Sequence, residues 1–105
     1  MAKPSPQLND VFRALADPTR RAILERLGRG AAGATALAQH FEMALPSFVQ
    51  HLEILENSGL VKSMKLGRIR TYRLAPQQIR CAEQWLSRQR KAWAGRFDRL
   101  TRVTK

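Results

Sequence analysis

Short polar side chains between positions 46 and 58 are the residues of this sequence best suited to chemistry, and the chemistry they suit is recognition. Gln50 carries an amide whose donor and acceptor match the edge of adenine, and Ser47 can reach a base or a phosphate. His51 can donate to a phosphate, or it can cap the packing between helices. Val49 offers an apolar group to a thymine methyl. Together with Pro46, these residues form a candidate surface for reading double-stranded DNA.

Two short helices joined by a tight turn are predicted to position that surface. The first spans about Thr35 to His40, and the second begins near Pro46, which is tolerated in a first helical turn. The second helix carries one apolar stripe at i, i+4 and i+7, formed by Phe48, Leu52 and Leu55. It ends before Gly59, a typical left-handed residue after a helix. This arrangement is typical of a helix-turn-helix whose second helix reads DNA.

Two further helices are predicted upstream. The first has apolar residues at i, i+3, i+4 and i+7, namely Leu8, Val11, Phe12 and Leu15. The second runs from Pro18 to about Gly28, with Asp17 as its N-cap. Residues 1–7, with two prolines, are expected to be a flexible arm before a domain that spans residues 8–105. Arg20 and Arg21 lie at a helix start, where positive charge is unfavourable, which indicates a phosphate or a carboxylate nearby.

A β-hairpin follows Gly59 and forms a predicted wing. Its strands are Leu60 to Leu66 and Ile69 to Leu74, and Gly67 with Arg68 suits a two-residue type II′ turn. The hairpin carries five positive charges and no negative ones: Lys62, Lys65, Arg68, Arg70 and Arg73. We expect Lys65, Arg68 and Arg70 to contact DNA. The alternative is that the charge only prevents an edge strand from pairing with neighbours.

A long helix from Pro76 carries an apolar seam that the first helix can cover only in part. The seam comprises Ile79, Ala82, Leu86, Trp93, Phe97 and Leu100. We expect a second copy of the chain to cover the remainder, with the apolar residues of the first helix in the same interface. Trp85 is also expected in the dimer core. Cys81 is expected to be a small buried or half-buried filler, and the alternative is an intersubunit or oxidisable thiol.

Charge restricts the class of partner. The chain has 105 residues, with 19 Lys and Arg against 8 Asp and Glu, a net charge of +11. Such an excess favours a polyanion, either nucleic acid or an anionic membrane surface. No apolar run is long enough to span a bilayer, and a cytoplasmic location is expected.

Residues for catalysis or metal binding are not evident in the sequence. It contains no glycine motif that cradles phosphate, no nucleophile with a neighbouring base, and no cluster of acids and histidines. A thiolate or imidazole metal site needs several ligands, which the single Cys81 cannot supply. We therefore predict no enzyme activity, no catalytic residue, no metal and no cofactor.

Ordered motifs along almost the whole chain resemble the ArsR/SmtB winged helix-turn-helix repressors. The matching segments are Asp17-Pro18-Thr19-Arg20, Ile23-Leu24, Leu37-Ala38, Met43 to Leu52, Leu55-Glu56, Gly59-Leu60-Val61, Gly67-Arg68 and Tyr72. The resemblance implies a mainly α fold with a two-stranded β-hairpin wing and a long C-terminal dimerisation helix. It also implies a homodimer paired through its first and last helices, with one recognition helix per subunit in a major groove.

Departures from the family pattern refine this expectation. The metal-sensing members carry a cysteine pair near the recognition helix or Asp and His ligands on the last helix, and this chain has neither, so it resembles the metal-free branch. The residues indicate no particular small-molecule effector. Ala44 stands where Ser or Thr usually caps the recognition helix, which should cost about 1 kcal/mol.

We therefore expect a sequence-specific DNA-binding regulator, a homodimeric repressor on an imperfect inverted repeat. The main alternative is a winged helix that contacts other proteins and reads no DNA. A further alternative makes the last helix a basic amphipathic anchor on a membrane surface.

Overall fold

Helices form most of this structure, a computed structural model that describes the backbone of residues 6–103 and the side chains of residues 7–96. Its elements in chain order are α1 (Pro6–Leu15), α2 (Pro18–Leu27), β1 (Ala32–Gly33), α3 (Ala34–Ala38), α4 (Leu45–Asn57), β2 (Val61–Leu66), β3 (Ile69–Leu74) and α5 (Pro76–Val103). The predicted mainly α winged helix-turn-helix is confirmed: α3 and α4 form the helix-turn-helix, and β2 with β3 form the wing.

The predicted apolar stripe of α4 lies in the centre of the core. Phe48, Leu52 and Leu55 are fully buried, and they share one cluster with Ile23 of α2 and Leu37 of α3. The base of the wing closes this cluster from the other side with Val61 and Tyr72. The stripe therefore fixes which side of α4 faces the protein and which faces outward.

The sheet has three strands, where the sequence predicted two. β1 pairs antiparallel with β3, so that Ala32 lies opposite Tyr72 and Gly33 opposite Thr71. A strand of two residues in a glycine-rich loop is too short to show the alternation by which strands are recognised. The hairpin itself is as predicted, because Leu66 pairs with Ile69 and the positive φ falls on Gly67 rather than on Arg68, as in a type II′ turn.

The two ends of α4 differ in how well they are capped. At the C-terminal end Gly59 has φ +83°, Gly59 N–H donates to Glu56 O at 3.0 Å and Leu60 N–H donates to Leu55 O at 3.2 Å. These two bonds form a Schellman motif, with Gly59 as the left-handed residue that the sequence predicted. At the other end Ala44 is the N-cap residue, and no side chain accepts a hydrogen bond there. The prediction that the recognition helix lacks a side-chain cap at Ala44 is therefore confirmed.

The first helix begins two residues earlier than predicted, at Pro6, so residues 6 and 7 do not belong to an arm. The remainder of the predicted arm, residues 1–5, lies outside the described residues. α3 ends at Ala38, two residues before the predicted His40. These shifts change no residue of the core.

Only the first part of α5 packs against α1, as its apolar seam predicted. Phe12 meets Trp85 edge to face, with ring centroids 5.8 Å apart. Three seam residues on either side of Trp85 remain exposed: Ile79, Leu86 and Trp93. Phe97 and Leu100 lie outside the described side chains.

Three predictions about α1 and α5 are corrected. Val11 and Ala82 were assigned to the dimer interface, but both are buried within a single chain and offer no surface to a second one. Cys81 was expected to be buried or half-buried, but its side chain is exposed. It precedes Ala82 on α5, and the heptad pattern alone does not fix where the edge of a helix stripe falls.

Replacing Ala44 with serine should stabilise the protein. The hydroxyl would accept a hydrogen bond from an unpaired N–H in the first turn of α4, worth about 1 kcal/mol. Urea unfolding of Ala44→Ser beside wild type measures the gain, and Ala36→Ser, within α3, is the matched control. Equal stability of Ala44→Ser and wild type would contradict an uncapped first turn.

Candidate nucleic-acid interface

The outward flank of α4 is formed by the polar residues that the sequence analysis selected. Pro46, Ser47 and Gln50 are exposed, and Glu53 continues the same side of the helix. Val49 is partly buried at the edge of the flank. This flank lies opposite Phe48, Leu52 and Leu55 and is not covered by the described part of the chain. A helix that presents short polar side chains in this way has the form required to enter a major groove.

His51 is held on the side of α4 that faces the start of α2. Its Nδ1 lies 3.1 Å from Nη1 of Arg20 and 3.8 Å from Oδ2 of Asp17. The side chain keeps 21% of its surface exposed. Of the two functions that the sequence left open for His51, packing between helices is therefore realised, and one side of the ring still reaches solvent.

Hydrogen bonds to backbone carbonyls at the end of α1 explain why Arg20 and Arg21 lie at the start of α2. Arg20 Nε donates to Ala14 O at 2.9 Å and its Nη2 donates to Arg13 O at 3.0 Å, while Arg21 Nη1 donates to Leu15 O at 2.7 Å. The last carbonyls of a helix have no partner within it and attract positive charge. The two arginines thus join α2 to α1, a function that their position in the sequence did not reveal.

Asp17 caps α2 as predicted, because its Oδ2 accepts a hydrogen bond from Arg20 N–H at 3.1 Å. Partial burial tends to raise the pKa of the Asp17 carboxyl. The hydrogen bond from Arg20 N–H and the nearby His51 and Arg20 side chains outweigh that effect, and the pKa lies below its ordinary value. The carboxylate therefore remains ionised at this corner at neutral pH.

The wing is joined to the recognition helix by a chain of polar contacts. Ser63 Oγ donates to Glu56 Oε2 at 2.6 Å, and Arg70 Nη1 donates to Ser63 Oγ at 2.8 Å. Arg70, which was predicted to contact DNA, is exposed, and one of its guanidinium nitrogens makes the hydrogen bond to Ser63. Lys65 lies opposite Arg70 in the register, and Arg68 lies in the turn at the tip. Both are exposed.

Exposed apolar residues near this surface were not identified from the sequence. Met64, Leu66 and Ile69 lie on the wing, and Leu45 lies at the start of α4 beside Pro46. The strand pattern could have identified them. Met64 and Leu66 alternate with Ser63 and Lys65, so their side chains lie on the face of the sheet that is not buried at the base of the wing.

The described residues give no support for a metal site or for a membrane-spanning helix. They contain no group of three or more His, Cys, Asp and Glu side chains that could hold a metal ion. They also contain no helix long and apolar enough to cross a membrane.

Comparison with known proteins identifies the family. A helix-turn-helix domain profile matches residues 15–63. The transcriptional repressor SdpR of Bacillus subtilis (strain 168) is 34% identical over 79 residues, which cover 75% of this chain and 88% of that protein. A crystal structure of an ArsR family transcriptional regulator shares 48% identity at a TM-score of 0.83, covering 90% of this chain and 97% of that one. The chain belongs to the ArsR family of winged-helix transcriptional regulators.

A similar protein from Mycobacterium bovis was solved by NMR as a homodimeric winged helix-turn-helix DNA-binding domain. It is 29% identical at a TM-score of 0.64, and the match covers 88% of this chain and 90% of that one. The predicted resemblance is thus confirmed. The prediction that the chain is not an enzyme is also confirmed, because the relatives are transcriptional regulators.

Replacing Asp17 with asparagine should make stability less dependent on pH in the acid range. Asparagine keeps an acceptor at the N-cap but has no charge. Because the pKa of Asp17 is lower in the folded than in the unfolded state, the ionised group stabilises the fold above its ordinary pKa, and this contribution is lost as the pH falls through the lowered value.

We therefore expect wild type to be more stable than Asp17→Asn at pH 7, and the difference to shrink as the pH falls below about 4, the ordinary pKa of an aspartate, towards the lowered value in the folded state. Urea unfolding at a series of pH values and one protein concentration measures it. A difference that persists undiminished in acid would show that the charge of Asp17 is not its source.

Proposed function

We propose that this ArsR-family regulator is a sequence-specific repressor that binds an inverted-repeat operator as a homodimer. The observation that carries the proposal is the exposed polar flank of α4, which the buried stripe of the same helix keeps turned outward. Repression is proposed because the B. subtilis relative is a transcriptional repressor. We propose that it acts in the cytoplasm, together with the DNA that it binds.

The exposed part of the α5 seam supports dimerisation. Ile79, Leu86 and Trp93 are between 39% and 48% exposed, unusually high for large apolar residues on one helix face. Leu86 and Trp93 also border an open cavity of about 370 Å³ with Glu83, Ser87 and Arg90. A second copy would cover these residues together with the partly buried Leu8, Phe12 and Leu15 of α1. In the sequence, Leu100 continues the seven-residue spacing and Phe97 widens the same stripe. The M. bovis relative is homodimeric.

Two-fold symmetry would present the two α4 helices to successive major grooves, about 34–36 Å apart, on one side of the duplex. The operator would then be an imperfect inverted repeat. Within each half-site, Gln50, Ser47 and Val49 would meet base edges, and Pro46 would bring the start of the helix close to the backbone.

Selection of bound sites from random duplexes tests the proposal directly. We expect the recovered sequences to share two half-sites in inverted orientation, with centres about 10–10.5 bp apart or at a multiple of that spacing. Recovery of unrelated sequences would contradict sequence reading, and a single half-site would contradict the symmetric dimer.

Gln50→Ala should relax preference at one base position in each half-site. A bidentate amide contact to adenine is worth about 1–3 kcal/mol of discrimination, and alanine cannot replace it. Repeating the selection with Gln50→Ala measures the change, and Gln77→Ala, an exposed glutamine on α5, is the matched control. Unchanged preference at every position would remove Gln50 from the reading residues.

Neutralising Lys65 and Arg68 should weaken DNA binding equally for all sequences. Each lost phosphate contact lowers the slope of log K against log salt by about 0.9. The control is Lys62→Gln with Arg73→Gln, which removes the same charge from a cross-strand pair at the base of the wing, on the opposite face from Lys65. Fluorescence anisotropy at several salt concentrations measures both slopes, and equal slopes for the two double variants would refute direct contact by the wing.

A protein-binding winged helix remains the second candidate function. The observation that favours it is the exposed apolar group Met64, Leu66 and Ile69 on the wing. A chain that binds no random duplex at low salt, despite a net charge of +11, would support this candidate over DNA binding.

A further inference from the structure

The contact between Arg20 and His51 determines which nitrogen of the imidazole carries a proton. Arginine has only donors, so Arg20 Nη1 at 3.1 Å makes His51 Nδ1 an acceptor. A neutral imidazole that accepts at Nδ1 carries its proton on Nε2. The carboxylate of Asp17 does not compete for Nδ1, because its Oδ2 is 3.8 Å away and accepts from Arg20 N–H instead.

The guanidinium that makes this contact is itself fixed in place. Two of its other nitrogens donate to Ala14 O and Arg13 O, at the carboxyl end of α1. α1 is anchored in the core there, since Val11 and Ala14 are fully buried. Arg20 therefore connects α1, α2 and α4, and it meets the recognition helix at a single ring nitrogen.

The other ring nitrogen of His51 is directed away from this network. Nε2 makes no hydrogen bond within the part of the chain that the structure describes, and no buried side-chain nitrogen or oxygen there lacks a partner. Nε2 therefore reaches solvent and presents an N–H donor. It does so one helical turn after Ser47 and next to Gln50, on the side of α4 that borders α2.

We propose that His51 Nε2–H donates to a phosphate oxygen of the DNA backbone and that Arg20 is the positioning residue that orients this donor. The proposal rests on the proposed function and extends it. A phosphate is the expected acceptor because His51 lies on the border of the exposed flank, where the wall of the groove runs, whereas Gln50 lies on the flank itself. Arg20 makes no contact with DNA in this arrangement and acts through the ring it holds.

Two substitutions of His51 separate its two nitrogens. Asparagine places an acceptor near the position of Nδ1 and has no group at the position of Nε2, whereas glutamine places an N–H donor near the position of Nε2. We expect His51→Asn to bind the selected operator about 10-fold or more weakly, because a hydrogen bond to a charged oxygen is lost. We expect His51→Gln to bind with nearly wild-type affinity.

The result that overturns the phosphate contact is equal affinity of His51→Asn and wild type, or equal weakening of both variants. Circular dichroism and urea unfolding show whether each variant is folded, so that a folding defect is not mistaken for a lost contact. Wild-type protein that binds no duplex would overturn the proposed function itself, and with it this inference, whereas wild-type binding that His51→Asn retains would overturn this inference alone.

Arg20→Met tests the positioning function, and Arg21→Met is its matched control. Arg20→Met loses two hydrogen bonds to carbonyls of α1 and Arg21→Met loses one, but only Arg20→Met loses the contact with His51. We expect Arg20→Met to weaken operator binding more than Arg21→Met. In the His51→Gln background the added effect of Arg20→Met should fall to about twofold or less, because the two residues are coupled.

A nitrogen-15 NMR spectrum of the His51 ring provides a readout that is independent of DNA. We expect Nδ1 to be the unprotonated nitrogen in wild type and in Arg21→Met, and protons to be shared between both nitrogens in Arg20→Met. A proton on Nδ1 of wild type at neutral pH, or identical spectra for all three proteins, would overturn the assignment of Arg20 as the positioning residue.

Discussion

Burial of the stripe on α4 is the constraint on which the other features depend. Phe48, Leu52 and Leu55 have no exposed surface, and each contributes about 1.5–3 kcal/mol by its removal from water. Rotating α4 to bury its polar flank would forfeit that contribution and would place Ser47 and Gln50 in an apolar core without partners. The same packing that stabilises the domain thus determines which residues can meet DNA. In the proposed function, stability and recognition use opposite sides of one helix.

Polar contacts at two places then fix α4 relative to its surroundings. At the first, Arg20 joins the end of α1 and the start of α2 to His51. At the second, Ser63 links Glu56 of α4 to Arg70 of the wing. These contacts are individually modest, about 0.5–3 kcal/mol each, but they are directional, whereas apolar packing is not. They hold α4 and the wing in one orientation, which the proposed binding to a rigid duplex requires.

The sequence predicted the features that depend on local patterns. The stripe of α4, the cap at Asp17, the Schellman end at Gly59 and the hairpin turn at Gly67 each involve residues within a few positions of one another. Features that depend on distant residues were missed or misplaced. β1 is visible only through its pairing with Thr71 and Tyr72, and the contact between Arg20 and His51 joins residues 31 positions apart. Val11 and Ala82 were assigned to the dimer interface although they pack within one chain, because the apolar stripe of a helix does not indicate which neighbour covers it. Residues of the candidate site were selected from their chemical type, but the orientation of His51 and Arg70 required the fold.

Directed cleavage of the operator by an iron chelate tethered to α4 tests the central claim most directly. The natural Cys81 is replaced by serine, and Glu53→Cys places the tether on the outward flank of α4 without altering a proposed reading residue. If the flank faces the duplex in a symmetric dimer, the DNA will be cut in two clusters whose centres are about one helical turn apart. A tether on the natural Cys81 of α5 is the control and should give a different pattern. Absence of cleavage from position 53 on a bound duplex, or a single cluster of cuts, would contradict the account.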